Sequence, residues 1–293
     1  MNIERIEDRL REYALLMRLH RPIGIYLLLW PTLWALWLAG NGQPPSGVVL
    51  VFVLGVALMR SAGCVINDLA DRHVDPHVAR TRDRPLAAGR VSPGEAIGLA
   101  VVLCLLAFAL VLTQNVLTVQ LAFVGLALAV SYPFMKRFHS LPQVHLGAAF
   151  GWAIPMAYAA VTGELPPICW LLFFANVLWS VVYDTQYAMV DREDDRRIGV
   201  KSTALLFGER DKRMIGYLQL ALLAMLIVIG LLAARGGFYY LGLFAAAWFA
   251  LYQQYLIRDR QPEECFKAFL NNHAFGLAVF CGLLLDYLPA GLP

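Results

Sequence analysis

The sequence predicts an all-α, polytopic membrane protein with nine transmembrane helices. Three observations predict it. Of the 293 residues, 59% are hydrophobic and 15% charged, against about 45–50% apolar and about 25% charged in soluble domains, and mean hydropathy is +0.60. The apolar residues gather into nine runs, each long enough for a crossing of roughly 20 residues. The basic residues between the runs are segregated to one side, and an odd number of crossings satisfies that partition.

Residues 1–22 come first. Ile3, Ile6, Leu10, Tyr13 and Met17 recur at intervals of three and four among Arg5, Asp8, Arg9, Arg11 and Glu12. This is an amphipathic helix too polar to span, lying on the cytoplasmic membrane surface or docked on the loops. Its alternating charges are not those of a signal peptide.

Residues 23–293 form a single transmembrane domain, with no room for a sizeable soluble one. Its runs cover about 23–40, 47–66, 95–113, 116–134, 143–161, 166–184, 213–233, 237–256 and 269–287. Asn271, Asn272, His273 and Asp286 dilute the last. Gly40-Asn41-Gly42-Gln43-Pro44-Pro45 and Gly163-Glu164-Leu165-Pro166-Pro167 read as tight turns.

Of the 24 Lys+Arg, 22 precede the first run or follow the second, fourth, sixth and eighth, leaving Arg60 inside a span and Arg235 opposite. The loaded side is cytoplasmic, with the N-terminus inside and the C-terminus outside. The two long loops, 67–94 and 185–212, both emerge there, at equivalent positions if spans one to four and five to eight are parallel repeats.

A net charge of +3 gives no support for nucleic-acid binding. Cys64, Cys104, Cys169, Cys265 and Cys281 show no CxxC spacing and read as small buried hydrophobes, not as a disulfide framework or zinc ribbon.

The chemistry lies in the two loops. Asn67, Asp68, Asp71 and Asp75 stand where the second span leaves the membrane, and steps of three and four put the three acids on one face if the helix continues. Like charges at that spacing repel, so helix propensity does not explain the stripe; a divalent cation does. Carboxylate and amide oxygens suit Mg2+, which takes one or two carboxylates and completes its octahedron with water and phosphate. Asp184, Tyr187, Asp191 and Asp195 repeat the device after the sixth span. Two such clusters facing each other make a cage for metal ions and a diphosphate. Among the neighbouring cations Arg72, Arg80, Arg82, Arg84, Arg196, Arg197 and Lys201, we expect Arg72 and Lys201 to touch phosphate. Lys136 serves the membrane interface while Arg137 turns inward toward a small carboxylate. Tyr132, Tyr183 and Tyr187 are placed to face a carbocation with their rings. His73 and His77 do not make a zinc site, because Pro76 interrupts the helix and no third soft ligand is near.

These residues carry a resemblance. Asn67-Asp68-x-x-Asp71-x-x-x-Asp75 resembles the first signature of the UbiA superfamily of intramembrane aromatic prenyltransferases. Asp184-x-x-Tyr187-Ala188-x-x-Asp191-x-x-x-Asp195 resembles the second. His20-Arg21-Pro22-Ile23-Gly24, the run from Leu27 to Trp37, Tyr132-Pro133-Phe134-Met135-Lys136-Arg137 and Gly199-Val200-Lys201-Ser202-Thr203 are similar to the 4-hydroxybenzoate polyprenyltransferase branch. The resemblance covers essentially the whole chain. It implies nine helices around a central cavity with cytoplasmic cap loops, in an inner membrane. It also implies transfer of a polyprenyl chain from its diphosphate to the carbon ortho to the hydroxyl of 4-hydroxybenzoate, in ubiquinone biosynthesis. Asp71, Asp75, Asp191 and Asp195 are then the core metal and diphosphate residues, supported by Asn67 and Asp68. Arg72, Lys201, Tyr187, Asp184 and Tyr132 line the substrates, and Arg137 holds the aromatic carboxylate. The isoprenoid tail enters laterally from the bilayer, and no pattern specifies an oligomeric state.

Two other classes fit less well. A cation-coupled transporter keeps its ionisable residues near the midplane in broken helices, whereas these acids stand at span ends. A CDP-alcohol phosphotransferase needs a DGxxAR signature, which is absent. A prenyltransferase for another aromatic acceptor is the nearer rival.

Overall fold

Lipid offers no hydrogen-bond partner to a peptide group, so a buried span must satisfy its own backbone. In keeping with this, the computed structural model, which describes residues 3–77 and 81–288, contains helices and no strand among the described residues. In chain order they are α1 (Ile3–Leu16), α2 (Ile23–Ala39), α3 (Ser46–Asp71), α4 (Pro93–Val111), α5 (Val116–Phe138), α6 (Pro142–Gly151), α7 (Ala153–Thr162), α8 (Pro167–Val190), α9 (Arg192–Ile198), α10 (Thr203–Phe207), α11 (Asp211–Leu232), α12 (Gly237–Leu256) and α13 (Pro262–Tyr287). Arg80, one of the predicted loop cations, lies outside the described residues, as does the side chain of His77.

Each of the nine apolar runs is helical. Seven segments among the described residues are long and apolar enough to cross a membrane, with α6 and α7 counted as one. The other two runs are α2, shorter at 17 residues, and α12, whose hydropathy is diluted by four tyrosines, Gln253 and Gln254. The fifth run is split at Trp152 because Pro155 has no N–H and its ring displaces the carbonyl four residues back, that of Gly151. Ser92 opens α4 with a reciprocal capping box to Glu95, and Asn115 caps α5 on the N–H of Thr118 at 2.9 Å.

The core is built on paired tryptophans. The rings of Trp34 on α2 and Trp179 on α8 stack at 5.2 Å, both side chains buried. Their N–H groups are satisfied across helices, by the Gly276 carbonyl at 3.2 Å and Asn272 Oδ1 at 2.9 Å. Asn272 passes the network on to Gln186 Oε1 at 2.7 Å, and Gln186 donates to Gln253 Oε1 at 3.2 Å. The α12–α13 crossing is closest where Gly242 meets Gly282. A Cβ on Gly282 would lie 2.7 Å from Gly242 Cα and 2.9 Å from the Phe238 carbonyl. Between apolar helices in an apolar solvent such small-residue seams supply the packing.

At one end of the bundle the chain turns back over the helix ends. α1 docks there, with Tyr13, Leu16 and Met17 against Val65, Leu86 and Val91. Arg9 Nη1 donates to the Arg90 carbonyl at 2.7 Å, and Arg90 reaches Glu12 at 3.0 Å. Among the cysteines, Cys64, Cys169 and Cys265 are buried as expected, whereas Cys281 faces outward and all five are free thiols.

Gly282→Ala is expected to destabilise the protein by about 1–3 kcal/mol through this overpacking, lowering its melting temperature in detergent. Gly98→Ala on α4, with open space around its Cβ, is the control and melts no lower.

Candidate active site

The first acidic motif sits at the end of α3 but does not continue it as a helix. The helix stops at Asp71, the Val74 N–H closes a turn on the Asp71 carbonyl at 2.8 Å, and Asp75 begins a single 3-10 turn. Pro76 opposes continuation, since it has no N–H to give the Arg72 carbonyl and in a continuing helix its ring would clash with that carbonyl. Asp68, Asp71 and Asp75 are 2%, 3% and 5% exposed. Such burial needs cations, and three segments supply them. Arg84, from the loop before α4, lies 3.1 Å from Asp68 and 2.9 Å from Asp75. Arg18, after α1, reaches Asp68 at 2.5 Å, and Lys136 on α5 reaches Asp71 Oδ2 at 2.5 Å. Arg18 has left-handed backbone, φ 57°, uncommon for a residue with a side chain. Asn67 Nδ2 stands 3.5 Å from Asp71 Oδ2.

The second motif is also bent. Asp184 and Tyr187 lie on α8, the chain leaves helical geometry at Asp191 (φ −98°, ψ 11°), and Asp195 belongs to the short α9. Gly199 ends α9 with φ 73°, a backbone that glycine adopts without strain. The Tyr187 ring packs on Phe269 of α13 at 4.8 Å, and the Tyr183 hydroxyl bonds Ser180 at 2.9 Å.

The two motifs face each other across one polar chamber of about 460 Å3, whose wall includes Asn67, Asp68, Asp71 and Asp75 on one side and Asp184, Tyr187, Asp191 and Asp195 on the other. Beside it runs an apolar groove of about 600 Å3 between α3, α4, α5 and the α6–α7 pair. Arg60, Tyr132 and Phe150 border both spaces. Arg60 therefore stands in the wall that the two spaces share. Its guanidinium lies 5.8 Å over the Phe150 ring, Nη1 is 2.9 Å from Cys64 Sγ, and Gly24 on α2 leaves the room, since a Cβ there would overlap it.

Three expectations about cations need correction. Lys136 is the one in the chamber wall: Arg137, 46% exposed and outside that wall, caps the Ala70 carbonyl at 2.5 Å, stacks on Phe134 and reaches Asp71 Oδ1 only at 3.8 Å. Successive residues on a helix point about 100° apart, and Asp71 takes the lysine. Arg72 is exposed and bonds the Leu69 carbonyl at 3.0 Å, because the helix ends before it. Arg196 and Arg197 are exposed as well. Lys201 does border the chamber, at its rim, with Nζ on the Phe138 carbonyl at 3.1 Å. Sequence reasoning missed Arg18, Gln143 and Lys136 as wall residues; Arg18 stands close to His20-Arg21-Pro22 but no spacing marks it.

The donor set suits magnesium. All the wall acids are hard oxygen donors, and Asp71 Oδ1 is buried without a hydrogen-bond partner. No three acidic, His or Cys side chains among the described residues converge on one point, so an ion here takes further oxygens from water or a phosphate ligand. Burial pushes the Asp75 carboxyl above its ordinary range; Arg84 opposes this and Asp68 and Asp71 reinforce it. A raised acid binds its proton more readily in the folded chain, so its contribution to stability falls as pH rises through that window. For metal-free protein, Asp75→Asn, which leaves Arg84 its partner Asp68, is expected to flatten this loss in a melting series run upward from the ordinary carboxylate range, without lowering the melting temperature at neutral pH.

A family model described as the UbiA prenyltransferase family matches residues 28–279. The 4-hydroxybenzoate octaprenyltransferase of Alkalilimnicola ehrlichii is 60% identical over 286 residues, covering 98% of both chains. The apo structure of a UbiA homologue from Aeropyrum pernix K1 superposes with a TM-score of 0.80 at 26% identity, over 90% of this chain and 98% of that one. A UbiA homologue from Archaeoglobus fulgidus, solved bound to GPP and Mg2+, shares the fold with a TM-score of 0.69 at 20% identity, over 92% of this chain and 99% of that one. The acidic chamber, the apolar groove beside it and the match along nearly the whole sequence agree: this chain belongs to the UbiA prenyltransferase family.

Proposed function

We infer that the chain transfers a polyprenyl group from polyprenyl diphosphate to the ring carbon ortho to the hydroxyl of 4-hydroxybenzoate, giving 3-polyprenyl-4-hydroxybenzoate and diphosphate in ubiquinone biosynthesis. The observation that carries this reading is the polar chamber opening onto an apolar groove, in a chain 60% identical to a 4-hydroxybenzoate octaprenyltransferase. A substrate with a doubly charged head and a hydrocarbon tail needs two solvents side by side. The groove, lined by aliphatic and aromatic carbon, takes the tail directly from the bilayer.

Asp71 and Asp75 from one motif and Asp191 and Asp195 from the other hold the diphosphate head through Mg2+, with Asn67 beside them and Asp68 fixing Arg18 and Arg84. Bound there, Mg2+ lowers the charge on the leaving diphosphate. Lys136 and Arg84, already in the wall, replace Arg72 as the phosphate-facing cations, with Lys201 at the rim. At the seam, the faces of Tyr132 and Phe150 stabilise the positive charge that develops on the allylic carbon. Arg60 at the same seam is the cation for the aromatic carboxylate, in place of Arg137. It lies within the wall shared by the two spaces, where the phenol ring must meet the allylic end. The electron-rich ring then forms the new carbon–carbon bond as the carbon–oxygen bond to diphosphate breaks, and the ring proton leaves to diphosphate or to a wall carboxylate.

We further infer nine crossings of an inner membrane, the seven apolar segments plus α2 and α12, with residues 1–22 as a cytoplasmic cap and 23–293 as one domain. The charge segregation supports this orientation.

The test is transfer of labelled 4-hydroxybenzoate into extractable lipid, in membranes supplied with a polyprenyl diphosphate. Chelation by EDTA is expected to stop it and added Mg2+ to restore it. Asp71→Asn and Asp191→Asn should each lose about 100-fold or more in kcat while inserting normally; wild-type rates in both would overturn the metal assignment. Arg60→Ala should raise KM for the aromatic acid by about 10- to 100-fold, well beyond its effect on the diphosphate. Arg137→Ala should move neither by much, and equal shifts in both constants for Arg60→Ala would refute its role.

A further inference from the structure

A second buried carboxylate, outside the chamber, also holds two arginines. Asp211, the first residue of α11, is 0% exposed. Arg192 Nη1 approaches its Oδ2 at 3.0 Å, and Arg260 binds it with Nε at 3.0 Å from Oδ2 and Nη2 at 2.9 Å from Oδ1. Neither Asp211, Arg192 nor Arg260 borders the chamber. We propose that Asp211 is a positioning residue for the second acidic motif, holding through Arg192 the hinge on which Asp191 and Asp195 turn. The proposal rests on the reading of those two acids as diphosphate and metal residues.

The local structure explains why the hinge needs an anchor. The chain leaves α8 at Asp191, and Arg192 is the next residue, the first of α9. Helix α9 buries no residue of its own. Its ion pairs from Arg197 to Glu193 and Asp194 are surface pairs, which contribute little. Arg192, by contrast, runs inward with its side chain 16% exposed. Besides Asp211 it binds the carbonyls of Ala204 at 2.9 Å and Gly208 at 2.6 Å. The planar guanidinium thus ties the α8–α9 hinge to α10, to the turn after it and to α11 at once, a geometry lysine does not reproduce. Arg260 adds the α12–α13 connection to the same carboxylate, and its backbone is left-handed there, φ 53°. Taking a carboxylate out of water is costly without such partners. Removing its charge frees Arg192 first, and with it the carboxylates of Asp191 and Asp195, one and three positions away along the chain.

The experiment uses the full chain, purified and reconstituted, with Mg2+, polyprenyl diphosphate and 4-hydroxybenzoate titrated separately. Asp211→Asn is expected to raise the half-saturating Mg2+ and the KM for the diphosphate by about 10- to 100-fold, with the KM for 4-hydroxybenzoate unchanged. Asp211→Glu, which restores the charge, should recover most of the loss. Arg260→Gln leaves the Arg192–Asp211 pair in place and should stay near wild type. In the metal-free protein, trypsin should cut after Arg196 or Arg197 faster in Asp211→Asn than in wild type. Should that variant not fold, Arg192→Lys must show the same selective loss in smaller measure. Unchanged constants in a folded Asp211→Asn or Arg192→Lys, equal shifts for all three ligands, or a loss in Arg260→Gln as large as in Asp211→Asn would each overturn the proposal. A wild-type chain that forms no prenylated product would instead overturn the activity on which it rests.

Discussion

The structure is organised around the cost of holding carboxylates out of water. Asp68, Asp71 and Asp75 are almost wholly buried within one short segment, and three more acids face them across the chamber. Uncompensated, such a group of like charges in a low dielectric would take up protons or draw in water. Compensation comes from distant parts of the chain: Arg18 from the N-terminal segment, Lys136 from the end of α5 and Arg84 from the loop before α4. The cap over the bundle is therefore held to it by charge neutralisation as well as by apolar packing. The same ion pairs hold the carboxylate oxygens of Asp68, Asp71 and Asp75 in the chamber wall.

Below the cap the bundle separates two environments. Polar wall residues end at Arg60, Tyr132 and Phe150, and beyond them the groove is nearly all hydrocarbon. The opposite half of the bundle is fixed by a chain of amides running from Trp179 through Asn272, Gln186 and Gln253 to Gln219. In lipid such interhelical bonds fix register without depending on hydrophobic burial. One half thus carries an apolar groove, the other is tightly registered, and α3 and α8 carry the two acidic motifs to a common surface between them.

Much of this was legible in the sequence because the bilayer imposes simple rules. Apolar runs must be helices, so the helical character and order of the nine runs followed from composition. Acids at spacings of three and four stood out because nothing in helix propensity favours them. What could not be read was set by tertiary partners. The choice between Lys136 and Arg137 depends on the direction in which the last turn of α5 faces Asp71, and two adjacent cations look alike in a sequence. The end of α3 at Asp71 was signalled by Pro76 and used only against zinc; Pro155 likewise marked the split in the fifth run. Asp211 and Arg18 are single charges in ordinary loops, and only the fold brings them to their partners.

Gly24 shows how a missing side chain can set the position of a charge. As a helix residue it is a poor choice, since glycine costs up to about 1 kcal/mol relative to alanine. Here, though, the missing side chain is the space that the Arg60 guanidinium occupies. Helix stability and the placement of Arg60 thus pull in opposite directions at one position, because any side chain there would displace the guanidinium from the seam. The glycine in His20-Arg21-Pro22-Ile23-Gly24 is, in effect, a seat for a charge written as an absence of atoms.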